Sequence, residues 1–582
     1  MKKTKGGNTV IGIDLGTSTT EAAVYRDGSP VMIINLSGDV ITPSAVGQDD
    51  NGNWVVGERA RAQLLLFPQN TAIEIKRKTG TGERISIGGS TWSPVELSAR
   101  ILEYVRNYAS SYLKEDVMRA VISVPAYFNE IQRQETIAAG KMAGFKVERI
   151  LNEPTAAALS YGLEHAEEES HILVFDLGGG TFDVTLLEMF DGVLEVKASS
   201  GDNRLGGKDF DEALCEWMLN EFRADTGINL RKDPYAMVRI KDEAERCKKE
   251  LSYSDKYHVM LPALGKKGDT PFHLDRIISL DKFEELTREL MERTHGPIDL
   301  VLGDSGISAG DIDKVILVGG ATRMPMVARE IEEYLGIKPE PAVNPDYAVA
   351  EGAAIQAAII SGDIRPEDGL IMTDVNPFSL GVRCFDGFST DSMSVIIPRN
   401  ATIPVTKKEK YTTSYDYQTE ALIEVYQGES SVASSNHFLG KFTLGGIPAK
   451  KIDRYGGQSI TVSFSYDLKV MLQVEAVVDS TGRKASIDID MLGADTASDR
   501  ETEKPGSSGD TGRKRTELAG KYKSLIRKAE RELKKLYISG EPGEYDELDD
   551  ALSDLMEAIS EGDEASADYT ASILNRILSR RG

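Results

Sequence analysis

Val10-Ile11-Gly12-Ile13-Asp14-Leu15-Gly16-Thr17-Ser18-Thr19 and Ile172-Leu173-Val174-Phe175-Asp176-Leu177-Gly178-Gly179-Gly180-Thr181 have the same form, 162 residues apart. Each is a short, β-rich apolar run, the pattern of a buried strand, ending in Asp-Leu-Gly and hydroxyl residues. A glycine turn after such a strand can bring backbone N–H groups up to phosphate oxygens, because no Cβ holds the ligand away. Either turn alone could equally be a plain strand reversal. Two copies, each with an acid at the strand end, predict a duplicated unit whose halves share one ligand.

Working outward, Ala120-Val121-Ile122-Ser123-Val124 and Val315-Ile316-Leu317-Val318 are further short strand-like runs between helical stretches, up to about residue 360. That alternation predicts an α/β region with buried sheets, residues 1–363. A charged, Pro-containing stretch with an apolar handle, 364–375, reads as an interdomain linker. Short alternating runs broken by Gly, Asn, Pro and Ser then predict an all-β, sandwich-like domain over 376–492. Residues 493–512 are polar and Gly/Ser-rich, the composition of a disordered linker. Helical patterns return over 513–582. There residues 513–535 carry ten bases and three acids, while 541–568 carry twelve acids and no base. The breaker at 538–543 predicts antiparallel helices, with Leu518, Tyr522, Leu525, Ala529, Leu533 and Leu536 meeting Leu548, Leu552, Leu555 and Ile559 in a small bundle.

The chain's 582 residues exceed what one core supports, and 40% hydrophobic with 28% charged residues exclude fibrous, wholly disordered and disulfide-scaffold classes. A net charge of −25 repels nucleic acid and anionic lipid, so neither is expected as a partner. Three cysteines without paired spacing give no disulfide framework or zinc site and suit a reducing compartment. The N-terminal run has no signal-peptide core, no stretch of 18 apolar residues occurs, and a cytoplasmic location is expected.

Asp14, Asp176 and Asp183 are placed to hold a hydrated magnesium ion between phosphates. Glu153 precedes Pro154 at a helix start, where an ionised carboxylate is favoured and can orient water or a metal's hydration shell. Lys76 alone would be a solvated surface lysine; beside polyphosphate it could polarise an attacking water. Glu245, Lys248, Lys249 and Ser252 fall within two helical turns, as a ligand-facing set or as a salt-bridged surface helix. Gly201 to Lys208 imitates a Walker loop, but the spacing is wrong and no hydroxyl follows, so that class is rejected.

The segments IGIDLGTSTT, VISVPAYFNEIQRQ, ILNEPTAAALSYGL, VFDLGGGTFDVTLLE, GDNRLGGKDFD, ILVGGATRMP and VNPDYAVAEGAAIQAA resemble the nucleotide-binding domain of the heat shock protein 70 (Hsp70, DnaK-type) chaperones. DVNPFSLGV, IIPRNATIPV and VYQGES resemble the peptide-binding β domain of that family, and the compact C-terminal region is most similar to the HscC type. The resemblance runs in order from residue 10 to about 490. It implies an actin-like α/β ATPase domain of duplicated lobes, a β-sandwich and a short helical lid, with ATP and Mg2+ as cofactors and ATP hydrolysis controlling the grip on extended apolar peptide. Unfolded polypeptide and a J-domain co-chaperone are the implied partners.

Residue by residue, the resemblance assigns Gly16, Thr17, Ser18 and Thr19 to a first phosphate loop, Gly178, Gly179, Gly180 and Thr181 to a second, and Gly207 to a further phosphate contact. Lys76, Glu153, Asp176 and Thr181 match the hydrolytic set, and Asp14 and Asp183 the carboxylates around magnesium. Glu245, Lys248, Lys249, Ser252, Gly319, Gly320, Arg323 and Asp346 match the adenosine clamp. Pro125 and Arg133 match an interdomain relay, and Leu370, Ile371 and Asp374 the coupling linker. Phe385 and Ser414 fall at the arch over the peptide, with Ala421 and Ile423 in the pocket below. The chain departs from the pattern at Ser18, at Ala321, and at Lys208, where an acid is usual. The stretch between Lys76 and Pro125 is short, which leaves dependence on a GrpE-like nucleotide-exchange factor open. Rival readings are a small-molecule kinase on the same fold and a nucleotide-regulated scaffold or exchange factor with weak ATPase.

Overall fold

The structure, a computed structural model, describes residues 9–165, 169–190, 193–341, 344–364, 371–452, 456–467 and 472–489, and in the C-terminal unit 521–522, 525, 528–529, 548, 555 and 564–579. The chain divides into two compact units, Met1–Ala497 and Ser498–Gly582.

Within the first unit the repeated motif is a repeated topology. Val10–Leu15 lies antiparallel to Thr19–Arg26, which pairs with Ser29–Met32. On its other side it lies parallel to Arg119–Val124, and that strand to Lys146–Asn152. In the second half Ser170–Leu177 lies antiparallel to Phe182–Phe190, followed by Val193–Asp202, and parallel to Lys314–Val318, followed by Glu340–Pro341. The two sheets have the same strand order. Parallel pairing needs helical crossovers, which bury both faces of the central strands; Ile11, Ile13, Leu173 and Phe175 are accordingly fully buried.

The small-residue helix Ala348–Ser361 packs on Val10–Leu15 and on the helix Glu153–His165. A Cβ on Gly352 would sit 1.7 Å from the carbonyl oxygen of Ala156, so the two helix backbones touch there.

Residues 371–376 are more than a tether. Ile371–Asn376 is a strand, parallel to Val193–Asp202 through the pairs Val193 with Ile371 and Glu195 with Thr373, and antiparallel to Ala401–Ile403 further on. It prolongs the second sheet and carries the chain into two four-stranded antiparallel sheets. One is ordered Ser392–Ile397, Leu380–Cys384, Glu420–Gln427, His437–Gly445; the other Val405–Thr412, Ser459–Tyr466, Leu472–Val478, Lys484–Ile489. Val425, Val462, Phe464, Val474 and Ala476 are buried among them. Val405–Thr412 lacks the apolar alternation that marks a strand in sequence: five successive residues from Thr406 to Lys410 are exposed on this edge strand.

In the second unit Tyr522, Ala529, Leu548 and Leu555 share an apolar cluster with Ala571, Leu574, Ile577 and Leu578, the last four on the helix Glu564–Ser579. Leu525 packs against it. Lys521 and Asp568 make an ion pair at 2.8 Å. Leu518, Leu533, Leu536, Leu552 and Ile559, the 493–512 segment and Leu370 lie outside the described residues.

Gly352→Ala should therefore cost about 1–3 kcal/mol or more, since neither backbone can give way. A lowered urea midpoint for the first transition is the expected measurement; an unchanged midpoint contradicts the contact.

Candidate functional site

Both Asp-Leu-Gly turns open into one cleft of about 550 Å3 between the lobes. Asp14, Gly16, Thr17, Ser18 and Thr19 line it from the first lobe; Asp176, Gly178, Gly179 and Thr181 line it from the second. The turns face each other so closely that a Cβ on Gly179 would lie 2.3 Å from the Ser18 hydroxyl oxygen. Gly180 backs this turn against Gly206. The amides of Gly207 and Lys208 donate to the carbonyls of Gly178 and Gly179 at 2.9 and 2.8 Å. The Gly207 turn is thus stapled to the second motif, a geometry unrelated to a Walker loop.

Lys76 is buried in the short helical turn Ile75–Lys78 and pairs with the Glu153 carboxylate at 2.5 Å. Glu153 is the first residue of its helix, as expected. Asp14 accepts a hydrogen bond from the Ser123 hydroxyl at 2.8 Å. Asp183 lies opposite Asp176 across the hairpin and accepts from the Tyr127 amide at 2.9 Å, leaving its Oδ2 buried without a partner.

These carboxyls crowd around one ammonium, and their protons are held accordingly. Burial pushes Glu153 up to about 7 and Asp183 up to about 6, against the pull of Lys76. Burial raises Asp14, and raises Asp176 well above its ordinary value with help from the negative charges of Glu153, Asp183 and Asp14. Such an excess of acid favours a divalent cation. Among the described residues no three acidic, histidine or cysteine groups converge tightly enough to grip a bare ion. The residues fit magnesium held through its own water shell, the form in which that ion usually binds beside phosphates.

At the far end of the cleft stand Glu245, Lys248, Lys249 and Ser252, on the helix Pro234–Leu251 and its cap. Gly319, Gly320, Arg323 and Asp346 face them, with Arg323 paired to Asp346 at 2.5 Å. Burial pushes Glu245 up, but Lys208, Arg61 and Lys249 outweigh it and hold the carboxylate well below its usual range. Lys249 makes the i,i+4 pair with Glu245 and also lines the cleft.

The residues expected to couple the domains sit elsewhere. Pro125 opens a buried turn, and Arg133 donates to the carbonyls of Ala126 and Phe128 at 2.8 and 3.0 Å. Buried Asp374 accepts from Asn152 at 2.7 Å, and Ile371 lies in the connecting strand. On the sandwich Ile423 is buried and Ala421 half-buried. Phe385 and Ser414 belong to loops, Phe385 more than half exposed. Sequence reading passed over Ser123, Glu21, Arg61, Glu130 and Tyr466. Only Glu21, a lone acid inside an apolar strand, left a local signal; it lines the cleft, and burial raises its carboxyl well above the ordinary range.

A group whose folded pKa is raised stabilises the fold fully below its unfolded value and loses that contribution as pH rises through the folded value. For Glu153 and Asp183 the loss runs up to about 7 and about 6 respectively. Nucleotide-free and magnesium-free protein should therefore show a falling urea midpoint between about pH 5 and 7.5, with a shallower slope in Glu153→Gln. Equal slopes would contradict the burial of that carboxylic acid.

Among the described residues no helix is long and apolar enough to cross a membrane. A family model described as Hsp70 protein matches residues 10–580. With nearly the whole length matched, and the paired phosphate-type turns meeting in one cleft, this chain belongs to the Hsp70 family.

Proposed function

We propose that the chain is an ATP-dependent molecular chaperone, in which ATP hydrolysis at the interlobe cleft governs how tightly the sandwich holds extended apolar segments of unfolded proteins. The observation that carries this reading is the strand Ile371–Asn376, which belongs to the cleft's sheet at one end and pairs into the sandwich region at the other. Neither a kinase nor a free-standing ATPase needs that connection. The domain limits follow as 1–363, 364–375, 376–492 and, after the polar segment 493–512, a lid over 513–582, compact as in the HscC type. A cytoplasmic setting and a J-domain co-chaperone belong to the same reading, with the exchange factor left open.

In this reading the hydroxyls of Thr17, Ser18 and Thr19 and the Gly178–Thr181 backbone hold the phosphates. Glu245, Lys248, Lys249, Ser252, Gly319, Gly320, Arg323 and Asp346 hold the adenosine. Magnesium, when bound, neutralises charge developing on the phosphate oxygens. Asp14 and Asp183 hold its water shell. Lys76 polarises the attacking water, Glu153 fixes Lys76 and orients that water, and Asp176 and Thr181 complete the set. Binding of peptide and of ATP would be reciprocal, each shifting the same two-state equilibrium.

Lys76→Ala should keep ATP binding and lower single-turnover hydrolysis by about 10² to 10³, the usual loss on removing one electrostatic stabiliser. Near-normal turnover overturns the assignment, as does an equal loss of ATP affinity.

By the resemblance Ala421 stands where a larger valine or isoleucine usually floors the pocket, and the smaller side chain would favour Phe over Leu in the bound segment. Ala421→Val should shift a peptide array back towards Leu; identical preferences in both proteins rule out a floor effect.

A further inference from the structure

Two parts of the chain remote from the cleft converge on the turn that leads into it. Tyr466, on the sandwich strand Ser459–Tyr466, donates its hydroxyl to Glu130 Oε2 at 2.8 Å, 336 residues away in sequence. Glu130 Oε1 accepts from Gln134 at 2.7 Å, and the Glu130 amide donates to the Gln427 side chain of the sandwich at 2.9 Å. Glu130, Gln134, Gln427 and Tyr466 are all nine-tenths or more buried. Separately, Phe378 lays its ring 4.4 Å from that of Tyr127.

Glu130 begins the helix Glu130–Met142, capped by Asn129. One turn along that helix, Arg133 clasps the carbonyls of Ala126 and Phe128. Between those two lies Tyr127, whose amide holds Asp183 Oδ1, while the other Asp183 oxygen has no partner. Hydrogen bonds, one helical turn and one short loop thus link the Tyr466 hydroxyl to Asp183, a buried carboxyl whose charge acts on Glu153 and Asp176 in the cleft. A polar cavity of about 10 Å3, lined by Arg133, Asn152, Asp374 and Tyr466, lies at the same joint. It has room for one water, and Asn152 Oδ1 is a buried acceptor without a partner.

We propose that Tyr466 is a positioning residue for the nucleotide reaction: through Glu130 and the 126–128 turn it ties the orientation of Asp183 to the seating of the sandwich on the ATPase domain. The proposal rests on the ATPase reading above and goes beyond it in naming the side chain that carries the signal. Tyr466→Phe keeps the packing and removes the donor, leaving a buried carboxylate oxygen unsatisfied. The alternative arrangement, with sandwich and Glu130 separately hydrated, then gains by roughly fivefold or more.

The test uses the full chain with one fluorophore on the sandwich and one on the ATPase domain, and measures ATP turnover with and without a saturating extended peptide. Tyr466→Phe should lower the ATP-dependent proximity signal and shrink the ratio of peptide-stimulated to basal turnover by roughly fivefold or more. Glu130→Ala should match it, and the double variant should be no worse than either single one. Glu130→Gln should stay within about twofold of wild type in both readouts, because a tyrosine hydroxyl accepts from an amide as well as donating. A merely structural role would instead lower the melting temperature of every variant, leaving the stimulation ratio of folded protein at the wild-type value. Wild-type proximity and ratio in Tyr466→Phe, or additive losses in the double variant, overturn the proposal. If Tyr466→Phe does not fold, the contrast between Glu130→Ala and Glu130→Gln decides by the same criteria. Absence of hydrolysis in wild type removes the ATPase reading and this proposal with it.

Discussion

Asp14, Glu153, Asp176 and Asp183 surround a single buried ammonium, that of Lys76, and most of the architecture serves to keep them there. Taking one carboxylate from water into a protein interior is unfavourable unless it is paired or hydrogen-bonded. Four around one lysine are under-compensated, and the raised pKa values of all four express that debt. A fold can hold such a cluster only if rigid strands on both sides forbid its dispersal. Two copies of one sheet topology, clamped by the contact of Gly352 with Ala156, supply those strands. A cation among these carboxyls would relieve their mutual repulsion, and a ligand that binds only the folded state stabilises it by mass action.

The cleft was largely legible in the sequence because its chemistry is local. Asp-Leu-Gly and the following hydroxyls are contiguous, and the strand that fixes their direction stands immediately before them. Glu245, Lys248, Lys249 and Ser252 were legible for a similar reason, since helical spacing alone puts them on one side. Ser123 and Arg61 were not, because each acts on a partner supplied by a distant element: Ser123 on Asp14 and Arg61 on Glu245. Tyr466 and Glu130 are the extreme case, an aromatic in an alternating strand and an acid in the first turn of a helix, each unremarkable until the sandwich is seated.

The connecting segment shows how sequence can name a part and miss its state. Its polar lead and apolar end read as a linker between domains. What turned it into a strand was the free edge beside Val193–Glu195, a partner that nothing within residues 364–375 reveals. Pairing satisfies backbone groups that would otherwise face water, and it fixes the strand and the turn after it, so that Asp374 in the strand reaches Asn152 and Phe378 beyond it reaches Tyr127. Burial of Asp374, Asn376 and Gln427 in the same neighbourhood makes this seam polar. A polar seam separates into two hydrated surfaces more readily than an apolar one of the same size would.

The edge strand Val405–Thr412 has a consequence of a different kind. An unpaired β edge is a template on which any extended chain can lay down another strand. Lys407, Lys408 and Lys410 project from this edge into solvent. Two such edges brought together would align positive charge with positive charge. The molecule carries a colloidal safeguard on the sheet opposite the one that bears Ala421 and Ile423. Because exposed charges act over only about 10 Å at 0.1 M salt, that safeguard weakens as ionic strength rises, and fibre-like self-association becomes easier in brine than in dilute buffer.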